Sequence, residues 1–483
     1  MRNIPFNKFQ IILVVLGLAA IFLLIYSPSF TTPFPKHFDE WQHINQALNL
    51  ERGEYQWQGL SASGLGFHFF LYGISRVADL VQIYKFLAPS WAILSALILF
   101  FVAYSLSGQN FLIAFSTILF FSSIKSNINL LGLYFFTPLT FAIPFIFLFI
   151  FFFVRGLEKE NKKYLLLSFL LMLLLIPVHA ISVAFAFPIL LFSCLLYHKY
   201  IKKEFWFFLM FLLVPLAGLI FYSFMANLTI IDSLRILIKE LQFRGGLNQA
   251  KVFNDSLTIT YSIAGGILTG MGFLAVLWSK KKELYPYIIW PLSLFFMILI
   301  FRMTDVSYLA PYHRNFYYFT ISLPLLSAFG LSWVINSLAS RFKKINFNLI
   351  AVPILAIAIF FSFISYWEIA PERPPYTVII TADDYQDLLF LAKLPKGRVL
   401  TYFPLSAVVA PITGHKVIGE FFDKFSWEHA QGFFSSDDCH FKDAMIRVYN
   451  IDYVISMQEL LCGYKLLTNT HNYIYQVSSI TEK

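Results

Sequence analysis

The sequence predicts a polytopic α-helical membrane protein that ends in a small α/β domain. Three observations carry the prediction. Hydrophobic residues make up 58% of 483 positions and charged residues only 13%, with a mean hydropathy of +0.68. A soluble chain of this size could not hide so much apolar surface. The basic residues gather in short runs between apolar segments, the pattern of connections that stay on the inner side of a membrane. From Pro371 onward charged and polar residues return, and strand patterns alternate with helical ones.

Eleven spans are expected, near 9–28, 84–106, 110–125, 135–154, 164–178, 180–197, 206–225, 258–278, 286–301, 316–338 and 348–367. Arg2 and Lys8 precede the first, which places the N-terminus inside. No small-residue cleavage site follows it, so it reads as a retained helix. The fifth and sixth also read as one helix bent around Pro177. With an inside N-terminus the basic connections Arg155–Lys163, His198–Glu204, Lys280–Lys282 and Arg341–Lys344 all fall inside. The outer face then carries Lys36–His43, Lys125–Tyr134, Ala226–Leu257, Arg302–Asn315 and everything after Glu368. The membrane domain is expected over 1–370 and the extracytoplasmic domain over 371–483. The net charge of +9 reflects the inner runs. No basic stripe is interleaved with aromatics, so nucleic acid is not an expected partner.

The first outer loop, 29–83, carries the densest polar cluster in the membrane half. Lys36–His43 sets Asp39 and Glu40 between His37 and His43, beside Trp41. Ionisable groups held at a membrane face are costly, and such clusters mark functional sites. The bland alternative is a solvated loop that caps a helix. Glu40–Leu50 and Gly64–Leu80 have apolar residues at helical spacing and read as helices lying in the interface plane. The later loop Ala226–Leu257 contains Gly245-Gly246, read either as a hinge of a mobile cover or as part of a plain connector.

In the C-terminal region, 382–394 reads as a helix capped by Thr381 and 440–450 as another. Segments 398–403, 416–419, 452–457 and 473–478 read as strands. Cys439 and Cys462 would lie outside, where a bridge between them is plausible, while Cys194 falls within a span.

No Walker loop, Gly-x-Gly-x-x-Gly, Cys-x-x-Cys or His-Glu-x-x-His is present. Asp39 and His43 share one helix face, but two ligands do not make a metal site, so no cofactor is expected and a divalent metal is not favoured. A carboxylate at a membrane face suits a general base that takes a proton from an acceptor hydroxyl or amine. The leaving group should then be anionic and meet fixed positive charge. Arg314, flanked by His313 and Tyr312, suits a phosphate at headgroup level; its other reading is an interfacial anchor. His179 either lines the same cavity or is a hydrogen-bonded structural histidine.

Phe-Asp-Glu-Trp at 38–41 soon after the first span resembles the GT-C superfamily of integral-membrane glycosyltransferases. Residues 66–76, Gly-Phe-His-Phe-Phe-Leu-Tyr-Gly-Ile-Ser-Arg, are similar to that family's His-Pro-Pro-Leu-Tyr-Tyr type segment, with His68 in register and the prolines missing. Tyr-His-Arg-Asn-Phe at 312–316, before the apolar run 322–331, looks like its arginine-containing segment, and a C-terminal outer α/β domain fits many members. The nearest types are the protein mannosyltransferases and aminoarabinose transferases. The resemblance implies Asp39 as catalytic base with Glu40 beside it, and Arg314 holding the phosphate of a polyprenyl-phosphate sugar. His37, His43, His68, His179 and His313 would contribute to binding, and transfer would be inverting. Lys125–Tyr134 contains no acid and no Trp-Trp-Asp-Tyr-Gly-like run follows, which implies a metal-independent transferase rather than an oligosaccharyltransferase. The acceptor stays open between protein, lipid and glycan. The rival readings are a lipid or polysaccharide transporter and a non-catalytic assembly protein. One-sided polar groups and the absence of internal repeats count against the transporter.

Overall fold

The structure is a computed structural model. It describes residues 6–55, 64–126, 132–225, 227–240, 242–244, 260–308, 310–342, 347–364, 378–418 and 424–477. The chain forms two compact units. One comprises Met1–Ser27, Trp57–Phe67 and Phe86–Pro375; the other comprises Pro28–Gln56, His68–Lys85 and Tyr376–Lys483.

The first unit is helical. Helix occupies each expected span, and among the described residues spans adjoin or divide differently from the sequence reading in two places. Segments 164–178 and 180–197 form one 35-residue run, Lys162–Leu196. A straight helix of that length would reach about 50 Å, past the ~30 Å apolar core of a bilayer. It is broken at His179, whose φ of −163° and ψ of 82° leave the helical region, two residues after Pro177. Proline removes one helical donor and crowds the preceding turn, which accounts for the break. Tyr312–Ser322 and Pro324–Arg341 likewise divide a single expected span, with Pro324 opening the second helix. Among the described residues six helices are long and apolar enough to cross a membrane, and shorter apolar helices include Phe111–Ser122 and Ile263–Ser279. Leu166, Leu167, Leu170, Leu173 and Leu174 lie exposed along Lys162–Leu196, a surface for lipid rather than water. This is a membrane protein.

Small residues let the helices approach closely. A Cβ at Gly272 would overlap the Leu326 carbonyl, and one at Gly330 the Leu268 carbonyl. Helix Ile263–Ser279 therefore packs backbone to backbone against Pro324–Arg341. Aromatic rings fill other contacts: Trp91 stacks on Phe141 with centroids 4.5 Å apart and donates its indole N–H to the Phe141 carbonyl at 2.9 Å. In the loop Ala226–Leu257, Gln242–Arg244 pairs antiparallel with Val306–Tyr308. The Gly245-Gly246 hinge lies outside the described residues.

The second unit is built on a five-stranded sheet in the order 416–418, 398–401, 453–456, 473–476, 465–468. The first three strands are parallel, and 473–476 runs antiparallel to both of its neighbours. Its core joins Leu400, Phe433, Ile446, Ile451, Val454, Tyr475 and Val477. Thr381 caps helix Ala382–Ala392 through a reciprocal pair with Asp384, where the sequence places the cap. Strand Lys465–Thr468 and helices Ser406–Thr413 and Lys424–Ser435 were not foreseen. Cys439 and Cys462 are bonded, their Cα atoms 5.4 Å apart. The same unit contains the whole Lys36–His43 stretch.

Candidate active site

Lys36–His43 becomes the entry to helix Phe38–Arg52. His37 stands at its N-cap in extended backbone, with φ −141° and ψ 150°. Its Nδ1 accepts the Asp39 amide at 3.1 Å. That same nitrogen lies 3.7 Å from Asp39 Oδ1. It cannot accept the amide and also carry a proton for the carboxylate, and the shorter, directional contact is the amide, so Nδ1 serves as the cap acceptor. Glu40 reaches back, its Oε2 accepting the Lys36 amide at 2.7 Å and the His37 amide at 3.1 Å. This is a capping box with a histidine as the cap residue. The helix-cap reading and the cluster reading thus describe the same residues.

The two carboxylates separate by environment. Glu40 is 2% exposed, whereas the Asp39 side chain keeps 27% of its surface. Beside Glu40, Lys36 is itself buried; burial lowers its pKa and the Glu40 charge opposes that shift. Trp41 is fully buried and donates its indole N–H to the Pro35 carbonyl at 3.1 Å, fixing the chain where it enters the helix.

His43, one turn beyond Asp39, meets His68 from helix Leu65–Ser75: His43 Nδ1 and His68 Nε2 are 2.9 Å apart. His68 Nδ1 in turn meets the Tyr55 hydroxyl at 2.8 Å. Burial, with help from His43, pushes the His68 pKa down to about 2, and burial lifts the Tyr55 hydroxyl to about 12. A neutral imidazole between a second imidazole and a phenol can relay a proton without holding charge. Tyr84, almost fully buried, lies within electrostatic reach of both carboxylates. His43 and His68 are separate candidates in the sequence, and Tyr55 and Tyr84 are not singled out there.

Of the other sequence-derived candidates, Arg314 and His313 sit in the first turn of helix Tyr312–Ser322 and His179 at the break in Lys162–Leu196. His179 and Arg314 come together. The His179 Nδ1 contacts Ser182 Oγ at 2.8 Å and the Tyr318 hydroxyl at 3.2 Å, and Ser182 and Tyr318 bond directly. Arg314 acts electrostatically on His179, Tyr317 and Tyr318. Tyr318, four residues after Arg314 and so on its face of the helix, was legible by spacing but not singled out. Arg302 is held differently, donating from Nε and Nη2 to the Tyr312 hydroxyl at 3.2 and 2.9 Å. Among the described residues no group of three or more His, Cys, Asp or Glu side chains gathers as a metal site would require.

In fold the chain is similar to solved membrane glycosyltransferases, in line with the resemblance at 38–41, 66–76 and 312–331. No family model and no curated protein sequence matches the chain. Solved structures do. The apo oligosaccharyltransferase from Archaeoglobus fulgidus matches with a TM-score of 0.61 at 12% identity, over 93% of this chain and 70% of that one. Apo ArnT from Cupriavidus metallidurans matches with a TM-score of 0.59 at 12% identity, over 96% of this chain and 98% of that one. The same ArnT bound to undecaprenyl phosphate gives 0.58, again at 12% identity, over 96% and 98%.

Proposed function

We propose that this protein is a membrane glycosyltransferase that moves a sugar from a polyprenyl-phosphate donor to an acceptor on the outer face of the cell membrane. The observation that carries the reading is the full-length fold match to ArnT, which binds undecaprenyl phosphate. Asp39 is the general base. It removes the proton of an acceptor hydroxyl as that oxygen attacks the anomeric carbon. The bond from that carbon to the phosphate oxygen breaks, and polyprenyl phosphate leaves with the bonding pair, so the anomeric configuration inverts. Arg314 holds the phosphate, where a planar guanidinium can pair with two of its oxygens. Glu40 is given a different part from Asp39. Its buried carboxylate fixes the backbone at 36–37 and so aims the first turn of helix Phe38–Arg52. The His43–His68–Tyr55 chain supports that helix from its next turn. The N-terminus is cytoplasmic and the C-terminal region extracytoplasmic, as the basic connections indicate. The base mechanism needs no metal.

The test is transfer from a panel of radiolabelled polyprenyl-phosphate sugars by the purified protein, wild type beside Asp39→Asn, with and without chelator. Loss of transfer in the mutant and indifference to chelator are expected. Full transfer by Asp39→Asn would remove Asp39 as the base.

A further inference from the structure

The second unit holds a cleft of about 710 Å³ at the carboxyl end of strand Arg398–Thr401. Its walls include Thr401, Tyr402, Phe403, Glu428, Gln431 and Phe434. The position follows from the topology. The chain leaves 398–401 through helix Ser406–Thr413 to the parallel strand 416–418 on one side. It returns through two helices to the parallel strand 453–456 on the other side. Where parallel crossovers part in opposite directions, a crevice opens beyond the carboxyl ends of the strands, and such crevices bind ligands.

The lining narrows the ligand class. Phe403 is 38% exposed, and Tyr402 and Phe434 are partly exposed, their rings meeting edge to face with centroids 6.3 Å apart. The same lining includes exposed Gln431 and Glu428, which carry both donors and acceptors. Thr401, fully buried in the cleft wall, has a hydroxyl with no hydrogen-bond partner among the described residues. Aromatic faces alternating with amide, carboxylate and hydroxyl groups suit a ligand that is apolar on its C–H faces and hydroxylated at its edges, which is a saccharide. A neighbouring cleft past Pro404 contrasts with this one. Its buried Asp384 and Asp387 are already occupied by Thr381, Thr470 and Asn472, so they serve the fold.

The cleft is joined to the acidic cluster within the same unit. The Phe403 ring packs on Phe38 with centroids 4.6 Å apart, and Phe38 immediately precedes Asp39. We infer that the acceptor of this protein is a glycan, and that the cleft lined by Tyr402, Phe403, Gln431 and Phe434 binds its sugar residues. The inference rests on the transferase reading above and names that reading's acceptor class.

The test is saturation-transfer NMR on the full-length protein in detergent. Mannotriose, maltotriose and chitotriose serve as saccharide probes, and an Ala-Ser-Thr-Ala peptide represents a protein acceptor. Binding of at least one trisaccharide is expected, weakened about fivefold or more by Gln431→Ala and by Phe403→Ala, the loss that follows from removing one hydrogen bond or one ring face. Gln431 is exposed, so its replacement leaves folding intact even where Phe403→Ala disturbs Phe38. Absence of trisaccharide binding, binding indifferent to both substitutions, or peptide binding in place of saccharide would overturn the inference. The two levels separate cleanly. Trisaccharide bound in the cleft, with no transfer from any polyprenyl-phosphate sugar, sinks the transferase reading and leaves the cleft. Transfer to the peptide without saccharide binding does the reverse.

Discussion

Replacing Glu40 with Gln tests whether the two neighbouring carboxylates do different things. Glu40 Oε2 takes two backbone amides, at 2.7 and 3.1 Å, in a site only 2% exposed. Hydrogen bonds to a charged group contribute roughly 1.5–3 kcal/mol each, and neutral ones about 1. Glutamine keeps an acceptor oxygen in place, so Glu40→Gln should cost about 1–4 kcal/mol through the difference. The lost carboxylate also removes the charge that opposes the burial shift of Lys36, which adds to the cost. For a unit of this size that corresponds to a fall in melting temperature of roughly 3–12 °C. Below the melting transition the first turn keeps its geometry, so transfer should fall by less than about tenfold. Asp39→Asn should do the opposite. Its partly exposed side chain costs little stability, while loss of a general base lowers kcat by about 10²–10⁴. The assay is fluorescence-monitored thermal unfolding in detergent alongside initial transfer rates. A Glu40→Gln protein as stable as wild type but as inactive as Asp39→Asn would refute the division of labour and make Glu40 a catalytic partner.

The remaining predictions concern pH, donor binding and the disulfide. His68 has a folded pKa near 2 against 6.5 unfolded, so below pH 6.5 the unfolded chain binds more protons and stability falls as pH falls. The contribution is complete above about pH 7.5, and about 2 kcal/mol of it is lost between pH 7 and 5. His415, also held low by burial, acts in the same direction, so the measurement is the difference in melting between wild type and His68→Gln at the two pH values. A parallel pH dependence in the two proteins would contradict the assignment. Arg314→Lys should raise KM for the polyprenyl-phosphate sugar by about tenfold or more, because a point charge replaces a fork that pairs two oxygens. An unchanged KM in initial-rate measurements would return Arg314 to an anchoring role. Opening Cys439–Cys462, 23 residues apart, with Cys439→Ser should cost about 3 kcal/mol by loop entropy, seen as a lower melting temperature that reductant does not lower further.

The sequence by itself determined that this is a helical membrane protein and where its polar groups cluster. Helices follow from apolar runs and strands from short β-branched stretches, and both patterns are local, so all the expected spans carry helix and four of the five strands of the C-terminal sheet stand where the sequence put them. The fifth, Lys465–Thr468, was missed because only two of its four residues are apolar and both Lys465 and Leu466 are exposed. The turn residues 469–472 before Tyr473–Gln476 carried its one available signal. The cluster at Asp39 was legible because charge is rare in this chain. What each member does there was decided by tertiary structure. Glu40 and Asp39 are adjacent and chemically alike, and only their burial and partners, 2% exposed on two amides against 27% exposed, part them. His43 finds His68 across 25 residues, and His179 finds Tyr318 across 139. The saccharide cleft depends on strand order, which no local pattern encodes. Periodicity reports the environment a residue shares with its chain neighbours, whereas burial and long-range hydrogen bonds arise only when distant segments pack.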